Sequence, residues 1–342
     1  MMKIIVDAFG GDNAPQEIVR GAIDALREEN GFSVILTGKE ELIRAELKDL
    51  KYEKSRVEIV DCAEVITNDD VPTLAIRKKA DSSLVVAMKR LKEDPEVQGL
   101  VSAGSTGAVL AGGLFKVGRI KGISRPGLCP ILPTLKGGKV LLVDCGANVD
   151  CKPVNLCHFA LMGTAYMSAA LGVENPRVGL LSNGTEDKKG NELNKTAFPM
   201  LKELAGINFI GNVEAREILS GDVDVVVTDG FAGNIALKGI EGAVGTVLKF
   251  LKKEIKSSFR SKIGALFMKK SFYNLKSTLD YNQSGGAVFL GIDKVIVKSH
   301  GSSMAKSICC SILQAKQVAE NKLVDRIKEK LAAVVISEEE GE

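Results

Sequence analysis

Val101-Ser102-Ala103-Gly104-Ser105-Thr106-Gly107-Ala108 follows a short apolar segment and leads into the small-residue run 109–114. Small and hydroxylic residues thus stand where a strand would hand over to a helix. Such a turn leaves backbone N–H groups unpaired at a helix N-terminus of partial positive charge, so an anion such as phosphate is its natural guest. The same residues also suit a plain βα turn with hydroxyl caps. Recurrence decides between these readings.

The grammar of apolar strand, acid, glycine, small polar residue and helix returns along the chain. Residues 2–6 form an apolar strand ending in Asp7-Ala8-Phe9-Gly10-Gly11-Asp12-Asn13, and Pro15 then starts a helix to about 29; Asp12 or Asn13 could equally cap it. Strand 140–143 ends in Asp144-Cys145-Gly146-Ala147-Asn148, followed by a helix over about 153–171. Strand 178–181 ends in Ser182-Asn183-Gly184-Thr185 with Lys189-Gly190-Asn191 beyond it, and strand 223–227 in Thr228-Asp229-Gly230-Phe231-Ala232-Gly233-Asn234. Further strands are predicted at 32–37, 57–60, 97–101 and 295–297, with helices at 39–48 and 72–93. This alternation predicts an α/β fold with a mostly parallel sheet and helices on both faces, whose polar loops gather on one carboxyl edge. The glycine- and proline-rich stretch 118–138 reads as a connection that crosses between lobes.

Five loops of one type predict a cleft lined with N–H groups, amides and hydroxyls, built to hold a phosphate-like group. No Gly-x-Gly-x-x-Gly and no Gly-x-x-x-x-Gly-Lys-Ser/Thr occurs, which disfavours a standard dinucleotide fold and a P-loop.

The 342 residues are 45% hydrophobic and 26% charged, an ordinary globular composition. A net charge of +3 gives no global case for nucleic-acid binding. No signal-peptide pattern opens the chain and no apolar run reaches about 18 residues, so a cytoplasmic location is expected. Cysteines 62, 129, 145, 151, 157, 309 and 310 contain no Cys-x-x-Cys pair, which argues against a disulfide framework or a zinc site. No metal and no cofactor is expected. The two histidines differ: His158 sits in a helical apolar pattern and reads as structural. His300 follows strand 295–297, either as a loop residue bonded to backbone or as a donor to phosphate or to a departing sulfur.

Asp7 to Asp12, Ser102 to Ala108, Asp144 to Asn148, Lys189 to Asn191, Asp229 to Asn234 and His300-Gly301-Ser302-Ser303 stand in the order of the bacterial phosphate acyltransferase (PlsX) family, which the chain resembles over nearly its whole length. Ser105 departs from the asparagine common in its loop, and Ser182 to Thr185 from an Asn-Ile-Gly-Glu version. The resemblance implies a two-lobed αβα sandwich like the isocitrate and isopropylmalate dehydrogenases and the phosphotransacetylases, with residues 1–333 as one catalytic unit, an acidic tail at 334–342, and a homodimer. It implies formation of acyl phosphate from long-chain acyl-[acyl carrier protein] and inorganic phosphate. A membrane-bound glycerol-3-phosphate acyltransferase would accept the product, and no nucleic acid is involved. The matched positions make Asn234, His300, Lys189 and Asn148 the catalytic candidates. Asp7, Gly10, Gly11, Asp12, Ser102, Gly104, Ser105, Thr106, Gly107, Asp144, Gly146, Asn183, Gly184, Asp229 and Gly230 are the candidates for holding phosphate or substrate.

That chemistry asks little of acid–base groups. Inorganic phosphate is in good part dianionic at neutral pH, and a thiolate leaves readily. Alignment and oxyanion donors are the main needs, and no protein nucleophile is required. The competing readings are a metal- and nicotinamide-dependent hydroxy-acid dehydrogenase of the same fold group and a non-catalytic lipid-surface scaffold.

One stretch lies outside the cleft pattern. Over 246–279 an amphipathic helix with Ile240, Val244, Val247, Leu251 and Ile255 on one face gives way to basic residues interleaved with apolar ones, predicting a protruding helical hairpin. Lys252, Lys256, Arg260, Ile263, Leu266, Phe267, Met268, Lys269 and Lys270 are its candidate contacts. A solvated hairpin, a dock for the acidic carrier protein and an element at the anionic inner membrane surface compete here. The apolar tip 263–268 disfavours the first.

Overall fold

Successive residues of the first strand, β1 (Met2–Asp7), enter different cores: Ile4 and Val6 one, Ile5 the other. The same division holds in β2 (Phe32–Gly38), where Val34 and Leu36 oppose Ile35. A strand covered on both faces needs a near-continuous apolar run, which is how these segments read in sequence. The computed structural model describes residues 1–279, 285–334 and 336; most of the acidic tail lies outside the described residues.

The other strands are β3 (Val57–Asp61), β4 (Val97–Ser102), β5 (Gly127–Cys129), β6 (Ile131–Pro133), β7 (Lys139–Val143), β8 (Arg177–Ser182), β9 (Asn208–Glu214), β10 (Val225–Val227), β11 (Ala287–Leu290) and β12 (Val295–Lys298). One sheet has the order β3-β2-β1-β4-β12-β11-β5 and the other β6-β7-β10-β8-β9. Pairing is parallel except at β11 with β12 and β5, and at β6 with β7. The crossing between sheets falls at Pro130, between β5 and β6, inside the stretch expected to connect the lobes. That stretch also carries short strands, whose two antiparallel edges the sequence pattern did not signal.

A shared apolar layer joins the two sheets. Val101 and Val297 of the first sheet and Leu141, Val143, Val178, Leu180 and Val225 of the second belong to one buried cluster. Its centre is the helix Pro153–Leu171, apolar all round and ended by Gly172 in the left-handed region at φ 67°. By length and composition it could cross a membrane, but 89% of its apolar window is buried inside the protein. His158 is buried within it. Gln314 on the helix Ala305–Glu320 donates to the buried Tyr166 hydroxyl at 2.9 Å, tying a second helix into the same layer. The expected helix at 72–93 is two, Pro72–Lys78 and Ser83–Glu93. They separate where the Asp81 carboxylate accepts from Ala63 N–H at 3.0 Å.

Candidate active site

Because β1, β4 and β12 are parallel neighbours, their carboxyl ends deliver three loops to one place. The Asp7 carboxylate is buried and accepts from Ser83 Oγ at 2.6 Å, Ser102 Oγ at 2.7 Å and Phe9 N–H at 3.3 Å. Burial raises its pKa, against the pull of those donors and of Lys298. Gly10 has to be glycine: a Cβ there would stand 2.6 Å from the Asp7 carboxylate and 2.7 Å from Gly104 N. Ser102 Oγ also accepts from Gly104 N–H at 3.1 Å. Asp12 N–H donates to Gly301 O at 2.8 Å, and Asn13 Nδ2 to Ser302 O at 3.2 Å, so the first loop is laced to the last. Gly107 lies against Pro72.

On the second sheet the loops after β7 and β10 meet in the same way. Asp144 is buried and takes Leu128 N–H (2.9 Å) and Ala147 N–H (3.0 Å) on one oxygen, and Asn148 N–H (2.7 Å) and Asn148 Nδ2 (2.9 Å) on the other. Burial again raises its pKa. Asp229 caps the helix Gly230–Ser257 by accepting from Phe231 and Ala232 N–H at 2.9 and 2.8 Å. Gly230 N–H is bound by Asn148 O at 2.7 Å. Gly146, at φ 115°, lets the turn pass beside the Asn234 amide, which a Cβ there would approach to 3.4 Å.

Between the two sets of loops lies a cavity of about 350 Å³. Thr106, Gly146, Asn234, Lys298, Ser299 and His300 line its polar side, with Leu128, Pro130, Ile131 and Leu237 on its apolar side. Thr106 opens the helix Thr106–Gly112, whose N-terminus receives no side-chain cap among the described residues, leaving first-turn N–H groups for a ligand. Among the described residues no protein group bonds the Asn234 amide, so it is available to a ligand. Ser302 N–H donates to His300 Nδ1 at 3.2 Å, and that nitrogen also lies 2.8 Å from Ser302 Oγ. Nδ1 is therefore an acceptor, and the neutral ring carries its proton on Nε2. Cys145 borders the cavity, but burial holds its thiol well above the ordinary range, so it stays protonated.

Lys298 is the residue that sequence reasoning passed over. It is buried, donates to Ala103 O at 3.4 Å and to Ser299 O, and its pKa is lowered by burial to about 8, with Asp12 and Asp7 opposing that shift. The available signal was its position: a lysine closing an apolar parallel strand, immediately before the His300 loop, has its long side chain inside the protein.

The remaining candidates are placed differently. Asn148 is not a free donor: its Nδ2 is committed to Asp144 and, at 2.7 Å, to Pro126 O, because a buried amide must find partners. Asp7, Asp144 and Asp229 likewise shape loops rather than face the cavity. Asn183, Gly184 and Lys189 sit at the end of β8, one strand beyond β10, and do not line the cavity. There Asn183 Oδ1 accepts from Gly190 N–H at 2.9 Å, and Lys189 is exposed. Among the described residues no cluster of three His, Cys, Asp or Glu side chains could hold a metal.

The expected hairpin takes another form. The helix starts at Gly230, in the cleft itself, runs to Ser257, and is followed by Phe259–Phe267 and Lys269–Leu279. Of its 28 residues only Gly230 and Gly233 are buried, so beyond the cleft it projects from the body. Leu266 and Phe267 are 70% and 85% exposed, with Ile263 and Met268 also exposed. Lys252, Lys256, Arg260, Lys269 and Lys270 are exposed beside them.

A family described as "Fatty acid synthesis protein" matches residues 2–326. The chain is 48% identical to a phosphate acyltransferase of Clostridium tetani over 333 residues, covering 97% of this chain and 99% of the relative. It is also 48% identical to a phosphate acyltransferase of Caldicellulosiruptor saccharolyticus over 332 residues, covering 97% and 99%. Among solved structures it resembles a phosphotransacetylase from Streptococcus pyogenes with a TM-score of 0.61 and 18% identity, covering 93% of this chain and 94% of that one. The EutD phosphotransacetylase from Staphylococcus aureus gives 0.59 and 16%, covering 94% of each. At such identities these two speak for the fold alone.

Proposed function

The chain belongs to the fatty acid synthesis protein family, whose relatives here are phosphate acyltransferases, and from that premise we propose that it transfers the acyl group of long-chain acyl-[acyl carrier protein] to inorganic phosphate. The observation that carries this reading is the convergence of Asn234, His300 and Lys298 with the Thr106 helix N-terminus on one cavity. The dehydrogenase reading and the scaffold reading are not favoured by these relatives.

In the proposed reaction a phosphate oxygen attacks the thioester carbonyl carbon, the C–O bond forms, and the C–S bond breaks with its electron pair on sulfur. Lys298 and the N–H groups at the Thr106 turn hold the phosphate. The Asn234 amide donates to the carbonyl oxygen as it gains charge, a contribution of about 3 kcal/mol for one such donor. His300 Nε2–H faces the departing thiolate. Apolar Leu128, Ile131 and Leu237 keep water from the acyl carbon.

We further propose that the protein works in the cytoplasm as a homodimer, that its projecting helices rest on the anionic inner face of the membrane, and that a membrane-bound glycerol-3-phosphate acyltransferase takes the acyl phosphate. Purified protein should release free carrier-protein thiol from a long-chain acyl thioester only when phosphate is present, and hydroxylamine should trap the product as the acyl hydroxamate. Phosphate-independent release, or a requirement for NAD, would overturn the reading.

A further inference from the structure

Beside the reactive cavity lies a second concavity of about 390 Å³, walled by Leu110, Leu114, Phe115, Pro126 and Ala147 and rimmed by Arg119 and Arg125. Their linings have no residue in common but follow one another along the chain. Leu110 stands one helical turn, about 6 Å, beyond Thr106 on the same helix, and Ala147 follows Gly146 of the cavity. Pro126 lies just before Leu128 of the cavity. Through Ala147 the groove borders the Gly146 turn.

Its rim is charged in one sense. Between Glu96 and Asp144 the chain has no acidic residue and six basic ones. Arg119 and Arg125 are exposed at the groove, Lys121 is exposed on the segment between them, and the Arg77 guanidinium sits over the exposed Phe115 ring at 5.6 Å. Arg119 also donates to Ser124 O, and Ser124 Oγ accepts from Asn155 Nδ2 at 2.8 Å, which fixes the arginine-bearing loop to the central helix. Of the nearby acids, Asp293 is paired with Lys328 at 2.7 Å, and Asp150 is exposed next to the cationic Lys152. A net positive rim around an apolar groove fits an acidic protein that carries a flexible arm with a phosphodiester at its base and a thiol at its tip.

We propose that the acidic carrier protein docks on Arg77, Arg119, Lys121 and Arg125, with its prosthetic arm running along the Leu110–Leu114–Phe115 groove to deliver the thioester at Gly146. This rests on the acyl-transfer reading above and locates its protein substrate. The basic residues of the projecting helix are the rival dock. Lys256 lies about 33 Å along the helix from Asn234, whereas Arg119 and Arg125 line the groove that borders the Gly146 turn. The rival would hold the carrier protein out along that helix, away from the reacting carbon.

The test measures binding of fluorescent holo- and apo-carrier protein, together with turnover. Arg119→Glu/Arg125→Glu should weaken binding by about tenfold or more and remove most of its salt dependence, since two attractive rim charges become repulsive. It should leave the phosphate KM and turnover of a small neutral thioester, S-acyl-N-acetylcysteamine, unchanged. Lys252→Glu/Lys256→Glu should leave carrier binding unchanged. Holo-carrier should bind more tightly than apo-carrier, and Phe115→Ala should narrow that difference. Weakening by the helix variant alone would overturn the dock, and so would loss of small-thioester turnover in the arginine variant. Equal binding of holo- and apo-carrier would overturn the path of the arm. Arginine-dependent binding without any acyl phosphate formation would leave the dock standing and remove the proposed reaction instead.

Discussion

Replacing Lys298 by methionine separates what this residue contributes to folding from what it contributes to phosphate. Its pKa of about 8, against an ordinary 10.5, means that at pH 7 the folded protein holds a charge that burial disfavours, a penalty of about 3 kcal/mol. The unfolded chain binds this proton more tightly than the folded one. Wild-type stability from this group therefore rises with pH between about 8 and 10.5, and methionine removes the rise. Buried thiols work in the opposite direction: Cys62, Cys151, Cys157 and Cys309, pushed up to about 12, add stability below 9.0 that is lost as pH rises through their folded values. Both proteins share that background, so it cancels in the difference. Ala103 O and Ser299 O lose a donor in the variant, an offset of about 1–3 kcal/mol that does not vary with pH.

Urea unfolding of both proteins from pH 7 to 10.5 should thus show wild type gaining about 3 kcal/mol on Lys298→Met across the range. Kinetics should move with it. Above pH 8 inorganic phosphate is almost all dianion and its charge is nearly constant, so the wild-type phosphate KM should climb there, by up to about tenfold per pH unit, as the lysine loses its proton. In Lys298→Met the KM should be high, and flat above pH 8. Parallel stability profiles, or a variant with a wild-type phosphate KM, would refute the placement of a charged lysine at the phosphate end of the cavity.

Asn148→Ala should lower stability by about 1–3 kcal/mol in thermal or urea unfolding, because it leaves Asp144 and Pro126 O short of a buried donor. Asn234→Ala should do the reverse, keeping the unfolding midpoint while turnover falls about tenfold or more. Leu266→Glu/Phe267→Glu should release the protein from anionic vesicles in flotation while activity in solution persists. Each cation there contributes about 1 kcal/mol, and the two apolar side chains add a few more.

The parallel strands were legible because burial on both faces demands continuous apolar runs, and residues such as Ile4 to Val6 or Val140 to Val143 meet that demand over a short length. The antiparallel edges were not, since β5, β6 and β11 are only three or four residues long and lie among glycines and prolines. β9 escaped for another reason. Asn208, Ile210 and Gly211 interrupt its pattern, and as the last strand of its sheet it is covered less completely.

At the site, the sequence signalled loops that the structure gathers around the cavity, but not which side chains bond within those loops and which line the cavity. An acid or amide at a strand's end has the same signature whether it faces a ligand or ties down the turn that does. Only the count of hydrogen bonds distinguishes them: four to Asp144, three to Asp7, and none from a protein group to the Asn234 amide among the described residues. The inner carboxylates can remain buried because these bonds replace water, and the loops they fix leave the Asn234 amide without a protein partner among the described residues. Lys298 follows the same logic with opposite charge. Held among Ala103 O, Ser299 O and the nearby acids Asp7 and Asp12, it keeps a cation where solvent would otherwise be needed. An entering dianion would stabilise that charge further, so phosphate binding and lysine protonation should reinforce one another.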